Sequence, residues 1–446
     1  MTPGAEHLTH EVVVVGAGPA GSVVARRLRS WGLDVALVGS ASRSAFEGVS
    51  EKARALLAEE GIETEGALIE GPLPREGLWS GRRVEGREWL VDRAQLAAAL
   101  RARARASGVH VREGLALAMS RGPGAWHIHL RSGEMLAAPH LVDARGRGAH
   151  AGGRLRTGAA PAERGPLLLA YGQRYRPLGP HRPETRIEAA DFGWCWWARN
   201  ERTLWVQVVG QPHRGDPRGW IGAAAEQVRA LACALHGARL EGKPRASGAH
   251  ACLGAVRDEP GLWRAGDAAV ALDPLSGQGI YQALASARLI ATAIRSVLSG
   301  TDPTLARRFV ADWHRQVFER TLRIAAGLYR ENSARGEFWS ESCARYEAQL
   351  HGERGAMGSA RIERRPVLID ERIVERDVLV SAGYPRGVWH VSGVPIAPLL
   401  RYFEANAGAT LESAANSLEK TPRAVAAAVD WLKQQGPLPR QLTPTD

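Results

Sequence analysis

Residues 263–280 contain two consecutive segments, Trp263-Arg264-Ala265-Gly266-Asp267-Ala268-Ala269 and Leu272-Asp273-Pro274-Leu275-Ser276-Gly277-Gln278-Gly279-Ile280. The first predicts a short strand that delivers Gly266 and Asp267 to a turn rich in proline and glycine. An alanine-rich helical pattern follows over 280–298. A carboxylate at a strand end and free N–H groups at a helix start can together hold a polar, electron-poor ring. The segment therefore predicts a ligand site, although a glycine-rich turn of another α/β protein would look similar.

A second glycine-rich turn lies near the N-terminus. The β-branched run Glu11 to Val15 ends in Gly16-Ala17-Gly18-Pro19-Ala20-Gly21, and an amphipathic helical pattern continues to Ser30. In a strand–turn–helix unit, G-x-G-x-x-G allows a tight turn and a close approach of the backbone to a pyrophosphate. The same spacing also occurs by chance and in nicotinamide-binding proteins. The fingerprint expects a carboxylate about 20 residues further on. The predicted second strand, 34–38, instead ends in Gly39-Ser40, so we expect Ser40 or backbone groups to hold the ribose.

A third motif and a helix start lie between these two turns. Leu141 to Arg147 ends in Asp143-Ala144-Arg145-Gly146-Arg147, and Val91-Asp92-Arg93 opens a helix, with Asp92 and Gln95 also readable as an ordinary capping box. In their order and spacing, the motifs resemble those of FAD-dependent aromatic hydroxylases and FAD-dependent halogenases. The resemblance implies non-covalent FAD. The residues expected to bind it are Gly16, Ala17, Gly18, Pro19, Ala20, Gly21, Ser40, Arg93, Gly266, Asp267, Ser276, Gly277, Gln278 and Gly279.

Composition excludes several classes of protein. The chain has 446 residues, 45% of them hydrophobic and 24% charged, which is typical of a globular protein of two or three domains. No apolar run reaches membrane-spanning length and the N-terminus does not resemble a signal peptide, so we expect a cytoplasmic protein without a membrane partner. The four cysteines form no C-x-x-C pair, and no metal site is expected.

The net charge of +11 does not by itself indicate nucleic-acid binding. Only four of the 58 basic residues are lysines, and the arginines form no compact run of the kind that follows a phosphate backbone. A basic surface that attracts an acidic protein partner remains compatible with this charge. We therefore expect no nucleic-acid partner.

The order of motifs predicts an α/β fold with inserted and appended parts. We expect a Rossmann-like FAD-binding domain over 1–165 and 251–350, with an inserted antiparallel-sheet substrate domain over 166–250. This interleaving matches the aromatic-hydroxylase fold, and we expect a linker over 351–365 and a small winged-helix-like domain over 366–446 to follow it. From Pro366 onward the chain has eight basic and nine acidic residues. This neutrality favours protein docking or packing over DNA binding, and a winged-helix regulator is the non-enzymatic alternative.

A strand rich in tryptophan, Phe192-Gly193-Trp194-Cys195-Trp196-Trp197, bears on the substrate. Alternation along a strand places Trp194 and Trp196 on one face and Cys195 and Trp197 on the other. Core packing would explain any one tryptophan about equally well. The Gly193-Trp194-x-Trp196 pattern resembles an element of tryptophan halogenases that lies between flavin and substrate, which makes Trp194 and Trp196 candidate catalytic residues. Those halogenases also need a lysine, and only Lys52 lies near a flavin-side loop, without matching sequence around it.

The segments Asp143 to Arg147 and Gly193 to Trp197, together with the C-terminal module, carry a closer resemblance. They resemble the flavoprotein monooxygenases that hydroxylate a protein tryptophan during tryptophylquinone cofactor biogenesis of quinohemoprotein amine dehydrogenase. The resemblance implies that NADH, NADPH or reduced flavin supplies electrons and that O2 forms a C4a-hydroperoxyflavin. It also implies a small protein subunit as substrate, with a leader peptide as a further expectation. Pro274 would line the reactive flavin face, and Asp273 is a candidate proton acceptor. A halogenase, a small-molecule aromatic hydroxylase and a prenyl reductase are the alternatives.

Overall fold

The computed structural model describes residues 7–42, 44–63, 66, 68–150, 163–179, 181–212, 216–254, 259–351, 360–381 and 383–434. The chain forms two compact units, Met1–Ala291 with Trp313–Gly352, and Thr292–Asp312 with Glu353–Asp446. Among the described residues, no helix combines the length and apolar composition needed to cross a membrane. Strands and helices carry numbers in chain order.

A five-stranded parallel sheet forms the centre of the first unit. Its spatial order is β19 (Leu262–Arg264), β11 (His140–Asp143), β2 (Val12–Val15), β3 (Val35–Gly39) and β7 (His110–Glu113). Helices α1 (Pro19–Ser30) and α3 (Arg93–Ala106) pack against each other beside it. The valines of β2 are almost fully buried, as expected for an inner strand covered on both faces. The predicted strand–turn–helix unit at the N-terminus is confirmed.

Two smaller sheets lie beside the parallel sheet. One has the order β1 (His7–Thr9), β10 (Met135–Ala138), β9 (Trp126–Leu130) and β8 (Ala116–Arg121), and the other contains β12 (Glu163–Arg164), β18 (Cys252–Leu253) and β20 (Val270–Ala271). The sequence pattern predicts one continuous strand over 135–144, and this prediction is wrong. The chain changes sheet at Pro139, which has no N–H to donate to a continuing ladder.

An eight-stranded sheet forms the second layer of this unit. Its order is β17 (Arg239–Gly248), β13 (Leu169–Arg176), β16 (Leu204–Gly210), β15 (Gly193–Arg199), β14 (Glu184–Ala190), β5 (Ile69–Trp79), β6 (Arg82–Asp92) and β4 (Phe46–Val49). Adjacent strands are antiparallel except for the parallel pair β14 and β5. The four strands predicted over 167–210 are confirmed. The strands at 46–92 and 239–248, which the sequence pattern did not reveal, extend the sheet at both ends.

The two faces of this sheet are packed differently. Cys195 and Trp197 lie in a cluster with residues of α4 (Trp220–Gln227) and α5 (Arg229–Leu235). Trp194 and Trp196 lie on the other face, in a cluster that includes aromatic residues of α7 (Pro303–Arg330) and α8 (Glu337–His351). The predicted alternation of these side chains is confirmed.

Among the remaining helices of the first unit, α2 was not expected from sequence, the start of α6 was, and one predicted helix is divided in two. Helix α2 (Glu51–Glu59) has Ser50 as its N-cap, and α6 (Gly279–Leu298) begins within a residue of its predicted start. One helix is predicted over 217–237, but Val228 adopts an extended conformation (φ −110°, ψ 94°) that separates α4 from α5. The single-helix prediction is therefore wrong.

The C-terminal part of the chain combines a three-stranded sheet (β21 to β23) and a two-stranded sheet (β24 and β25) with three helices. The strands are β21 (Arg361–Ile369), β22 (Arg372–Ser381), β23 (Tyr384–Val388), β24 (His390–Val391) and β25 (Val394–Pro395). The helices are α9 (Ile396–Ala405), α10 (Leu411–Ser417) and α11 (Pro422–Lys433). The three predicted helices are confirmed, with Thr410 and Thr421 as side-chain caps. Strand β21 begins inside the segment expected to be a linker, because its alternating Arg and Glu residues pair along an exposed hairpin.

Candidate functional site

The N-terminal glycine turn fits a pyrophosphate. Gly16 has φ +114°, and a Cβ there would lie 2.2 Å from the carbonyl oxygen of Ala144. A Cβ on Gly21 would lie 1.9 Å from the oxygen of Gly16, so Gly21 allows the helix to pack closely on the turn. The Cβ position of Gly18 has no atom within 4 Å, which leaves room for a ligand at the N-terminus of α1. Such helix starts attract phosphate groups through free N–H groups and the helix dipole.

The position predicted from sequence to hold the ribose lies at the end of β3 and consists of backbone groups and a serine. A Cβ on Gly39 would lie 2.5 Å from the nitrogen of Ala17, so the strand end needs glycine to approach the turn. The carbonyl of Ser40 accepts a hydrogen bond from Arg101 at 3.3 Å. Arg93 lies at the start of α3, where its Nε pairs with Glu47 at 3.0 Å. The side chain of Asp92 accepts a hydrogen bond from the N–H of Ala94 and so caps this helix. The predicted N-cap is confirmed, but the capping box with Gln95 does not form.

The Gly266-Asp267 turn is supported from behind by two helices. Gly266 has φ +61°, and its N–H donates to Ser286 Oγ of α6 at 3.0 Å. Ser286 Oγ is in turn 3.3 Å from Nε2 of His314 in α7. His314 is fully buried, and burial together with the nearby Arg264 lowers its pKa to about 3. The ring is therefore neutral and supports the turn through a hydrogen bond instead of a charge.

Arg147 connects the third motif to the Gly266-Asp267 turn. Its Nε lies 3.4 Å from Oδ2 of Asp267, and its other nitrogens donate to the carbonyls of His250 and Leu272 at 2.6 and 2.5 Å. His150, in the same 3₁₀ turn, donates to the carbonyl of Asp267 at 2.7 Å. The side chain of Asp267 thus has a fixed position while remaining 31% exposed.

The loop before α6 is anchored by Asp273. Its Oδ1 accepts from the N–H of Leu275 at 2.9 Å, and its Oδ2 accepts from the hydroxyls of Tyr329 at 3.0 Å and Tyr346 at 2.5 Å. Burial raises the pKa of Asp273, while these hydrogen bonds act in the opposite direction. Burial also raises the pKa of both tyrosines, which therefore remain donors. Both oxygens are already engaged, so the geometry gives Asp273 the role of positioning the loop.

A cavity of about 930 Å³ joins these parts. Fourteen of the residues expected from sequence line it: Gly16, Ala17, Gly18, Pro19, Ala20, Ser40, Arg93, Asp267, Asp273, Pro274, Gly277, Gly279, Trp194 and Trp196. The other four do not line it: Gly21, Gly266, Ser276 and Gln278. Gly21 and Gly266 permit close packing of the turns, and Ser276 Oγ donates to the carbonyl of Asp273. The volume and the two open glycine turns fit a dinucleotide with space left for a second molecule.

The sheet side of the cavity holds residues that sequence reasoning missed. Trp205 lies beside Trp194 and Trp196, and its ring would lie 2.5 Å from a Cβ on Gly172. Glu88 of β6 accepts a hydrogen bond from Trp196 Nε1 at 3.4 Å and lies 3.8 Å from a nitrogen of Arg75. The carboxylate is nearly buried, with 12% of the side chain exposed. The only sequence signal for Glu88 was a charged residue directly before the buried run at the end of β6.

A cluster of possible metal ligands lies at the other end of the parallel sheet. Asp34 accepts from His10 Nδ1 at 2.8 Å and lies 3.2 Å from His110 Nε2. These residues stand at the N-terminal ends of β2, β3 and β7, whereas the cavity lies at the carboxyl ends. Sequence spacing did not reveal this cluster, because its members come from three separate strands.

Comparison with known proteins defines the class. Tryptophan 2-halogenase of Chondromyces crocatus is 25% identical over 378 residues, which cover 74% of this chain and 70% of that protein. The flavin-dependent halogenase CmlS has the same fold, with a TM-score of 0.71 at 16% identity over 96% of this chain and 92% of its own. No protein-family model matches the chain. The fold is that of the FAD-dependent hydroxylases and halogenases.

A further comparison gives the particular family. The structure of QhpG, a peptidyl tryptophan dihydroxylase essential for tryptophylquinone cofactor biogenesis, is 32% identical to this chain with a TM-score of 0.79. The match covers 96% of this chain and 100% of QhpG. The chain belongs to the family of this flavoprotein monooxygenase, and the predicted resemblance is confirmed.

Replacement of Asp267 by alanine should weaken FAD binding roughly 10- to 100-fold, because a hydrogen bond to a charged group contributes about 1.5–3 kcal/mol. Fluorescence titration of the apoprotein with FAD measures this, with Glu201→Ala at an exposed turn as the control. Equal FAD affinity in the wild type and Asp267→Ala would exclude Asp267 as a cofactor ligand.

Acidification should destabilise the folded protein through His314. The folded protein keeps this ring neutral to about pH 3, whereas an unfolded chain protonates it near 6.5. Lowering the pH through 6.5 therefore favours unfolding, by about 2 kcal/mol near pH 5. His314→Asn removes the titrating group, so its unfolding free energy should depend less steeply on pH between 7 and 5. Parallel curves for wild type and variant would contradict the assignment.

Proposed function

We propose that this protein binds FAD non-covalently and hydroxylates a tryptophan side chain within a polypeptide, in the maturation of a tryptophylquinone cofactor. The observation that carries the proposal is the match to QhpG, which extends over nearly the whole of both chains at 32% identity. The tryptophan-lined cavity beside the two glycine turns agrees with it. The substrate would be a small protein subunit, with a leader peptide as a further expectation. Electrons would come from NADH, NADPH or reduced flavin.

The cofactor half of the cavity would be held by backbone more than by side chains. Gly16 to Gly18 and the start of α1 would bind the pyrophosphate, with Ser40 at the ribose and Asp267 at the ribityl chain. Arg93 and the loop from Pro274 to Gly277 would border the rest of the cofactor. Reduced FAD would supply the electrons that activate O2, and O2 would supply the oxygen atom that enters the ring.

The substrate half would orient the target indole and exclude water. Trp194, Trp196 and Trp205 form a wall of aromatic surface, and Ile187 and Ala170 extend it. Aromatic pairs favour offset or edge-to-face geometry, which would restrict the angle of an incoming indole. Indole is nucleophilic enough to attack an electrophilic oxygen without prior deprotonation, so a base is needed only afterwards.

We assign that later step to Glu88. When a ring carbon of the indole gains oxygen, it must lose its proton to restore aromaticity. The Glu88 carboxylate lines the cavity, and Trp196 and Arg75 hold it in place. Gly48 provides the space for it, since a Cβ there would lie 2.1 Å from Glu88 Oε1. Asp273, the acceptor expected from sequence, has both oxygens occupied by other donors.

Halogenation is the second candidate, supported by the similarity to tryptophan 2-halogenase. Lys52, the lysine considered from sequence, is exposed near the start of α2 and is not among the residues lining the cavity. The cations that do line it are arginines: Arg75, Arg93, Arg145, Arg147 and Arg245. This arrangement favours oxygen transfer.

The state of the thiols supports a cytoplasmic location. Cys195, Cys233, Cys252 and Cys343 are free, and burial raises the pKa of Cys252 to about 11. Cys195, Cys252 and Cys343 are buried, and unpaired thiols suit a reducing compartment. We place the reaction in the cytoplasm.

Mass spectrometry of the reaction products tests the proposed activity. With reduced flavin and oxygen-18-labelled O2, a tryptophan-containing polypeptide should gain labelled oxygen on its tryptophan, and free tryptophan should react slowly or not at all. Chlorine or bromine incorporation that Lys52→Ala abolishes would establish the halogenase instead. Efficient hydroxylation of free tryptophan would leave only a small-molecule hydroxylase.

Glu88→Gln should lower kcat roughly 100-fold or more, because general base catalysis contributes about 10²–10⁴. FAD affinity and the KM for polypeptide should change little. Stopped-flow and steady-state assays of the wild type and the variant measure kcat, KM and FAD affinity. Glu85→Gln, on the same strand but exposed, is the matched control. An unchanged kcat in Glu88→Gln would contradict the assignment of the proton acceptor to Glu88.

A further inference from the structure

Strand β17 is at the end of the eight-stranded sheet, directly beside the cavity. It pairs with β13 on one side, and within the described part of the chain no strand pairs with its other side. Six consecutive residues, Pro244 to Ala249, line the cavity. An unpaired strand edge presents N–H and C=O groups that another extended chain can bind.

The register shows which backbone groups point away from β13. The N–H of Ala249 donates to the carbonyl of Leu168 at 2.9 Å. In an antiparallel pair these groups alternate, so Ser247 and Arg245 also face β13. Ala246 and Gly248 therefore present N–H and C=O outward. Pro244 directly precedes this regularly paired stretch, where the register with β13 shifts, and it has no N–H to donate.

The cavity also reaches around this edge. Arg245 and Ser247 pair with Gly172 and Ala170, so they share the sheet face that lines the cavity. Ala246 and Gly248 have the opposite orientation, yet they line the cavity as well. Ala246 is exposed. The cavity is therefore open along the outward-facing backbone of this segment.

We propose that residues 244–248 bind the polypeptide substrate by strand addition, with an extended segment next to the target tryptophan as the added strand. This inference rests on the proposed function. Main-chain hydrogen bonds would supply affinity with little dependence on side chains, and alternation would direct one side chain of the added strand toward the cavity face. Exposed Leu240, further along the same strand, offers apolar contact beyond the cavity. Free tryptophan has no flanking backbone to add, so it cannot use this edge.

N-methylated peptides test the proposal on the unaltered enzyme. The probes are linear peptides of about ten residues, a length typical of a strand, with one central tryptophan among threonine and valine. Methylation of the backbone nitrogens removes donors at alternate positions. One set of methylated peptides should bind at least tenfold more weakly, whereas the set methylated at the intervening positions should bind like the parent peptide. Strand addition would be overturned if the two sets of methylated peptides lost affinity equally, or if neither set lost affinity.

Ala246→Pro tests the same edge from the side of the enzyme. It removes one outward N–H without affecting a group bonded to β13, because Ala246 faces away from that strand. KM for the parent peptide should rise roughly tenfold, with kcat at saturation and FAD affinity near the wild-type values. Unchanged KM in a folded, FAD-binding variant would overturn the proposal.

The two proposals fail in different ways. If the wild type hydroxylates the parent peptide with no effect of methylation, strand addition fails and the proposed activity stands. If the wild type neither binds nor hydroxylates tryptophan peptides, the proposed polypeptide substrate fails. If Ala246→Pro does not fold, as judged by circular dichroism, the peptide experiment still decides the question.

Discussion

The buried carboxylate of Asp273 fixes the part of the structure on which the site depends. Removing a carboxylate from water costs several kcal/mol, and the cost is offset only while its oxygens accept from Leu275, Tyr329 and Tyr346. Any displacement of the loop from Pro274 to Gly277 would break one of these hydrogen bonds in a buried environment. Ser286 of α6 and His314 of α7 hold Gly266 in a similar way. Residues of the three helices α6, α7 and α8 therefore fix both ends of the segment 266–277, and the cavity is shaped before any ligand binds.

In the eight-stranded sheet, side chains on one face pack against helices and side chains on the other face line the cavity. Residues facing α4 and α5, such as Trp197 and Cys195, have no solvent exposure and serve packing. Their neighbours Trp194 and Trp196 face the cavity, so one strand contributes to both. Glycine provides space where a large side chain lies over a neighbouring strand, as Gly172 does beneath the ring of Trp205. This sharing means that a substitution in β15 can affect folding and activity through different faces.

The sequence predicted those features that depend on local chemistry. The glycine turns at 16–21 and 266–279 need particular backbone angles and close approaches, and these constraints leave a local pattern. Strands β5 and β6 have a weaker sequence pattern. Their prolines, glycines and alternating charges obscure the regular spacing of apolar residues that identifies a strand. Glu88 could not be found from sequence, since its place in the cavity depends on the pairing of β6 with β5 and on Trp196 from a distant strand. The cluster of His10, Asp34 and His110 was missed for the same reason.

The basic composition of the chain does not produce a strongly positive site. Arg93 pairs with Glu47, Arg145 with Asp143, and Arg147 with Asp267, while Arg75 lies near Glu88. A guanidinium held by a carboxylate contributes directed N–H groups and a fixed position with little net charge. Binding of an anionic cofactor then depends on oriented backbone N–H groups at the helix starts more than on long-range attraction. The remainder of the cavity can stay apolar and dry, which a reactive oxygen donor requires beside an aromatic substrate.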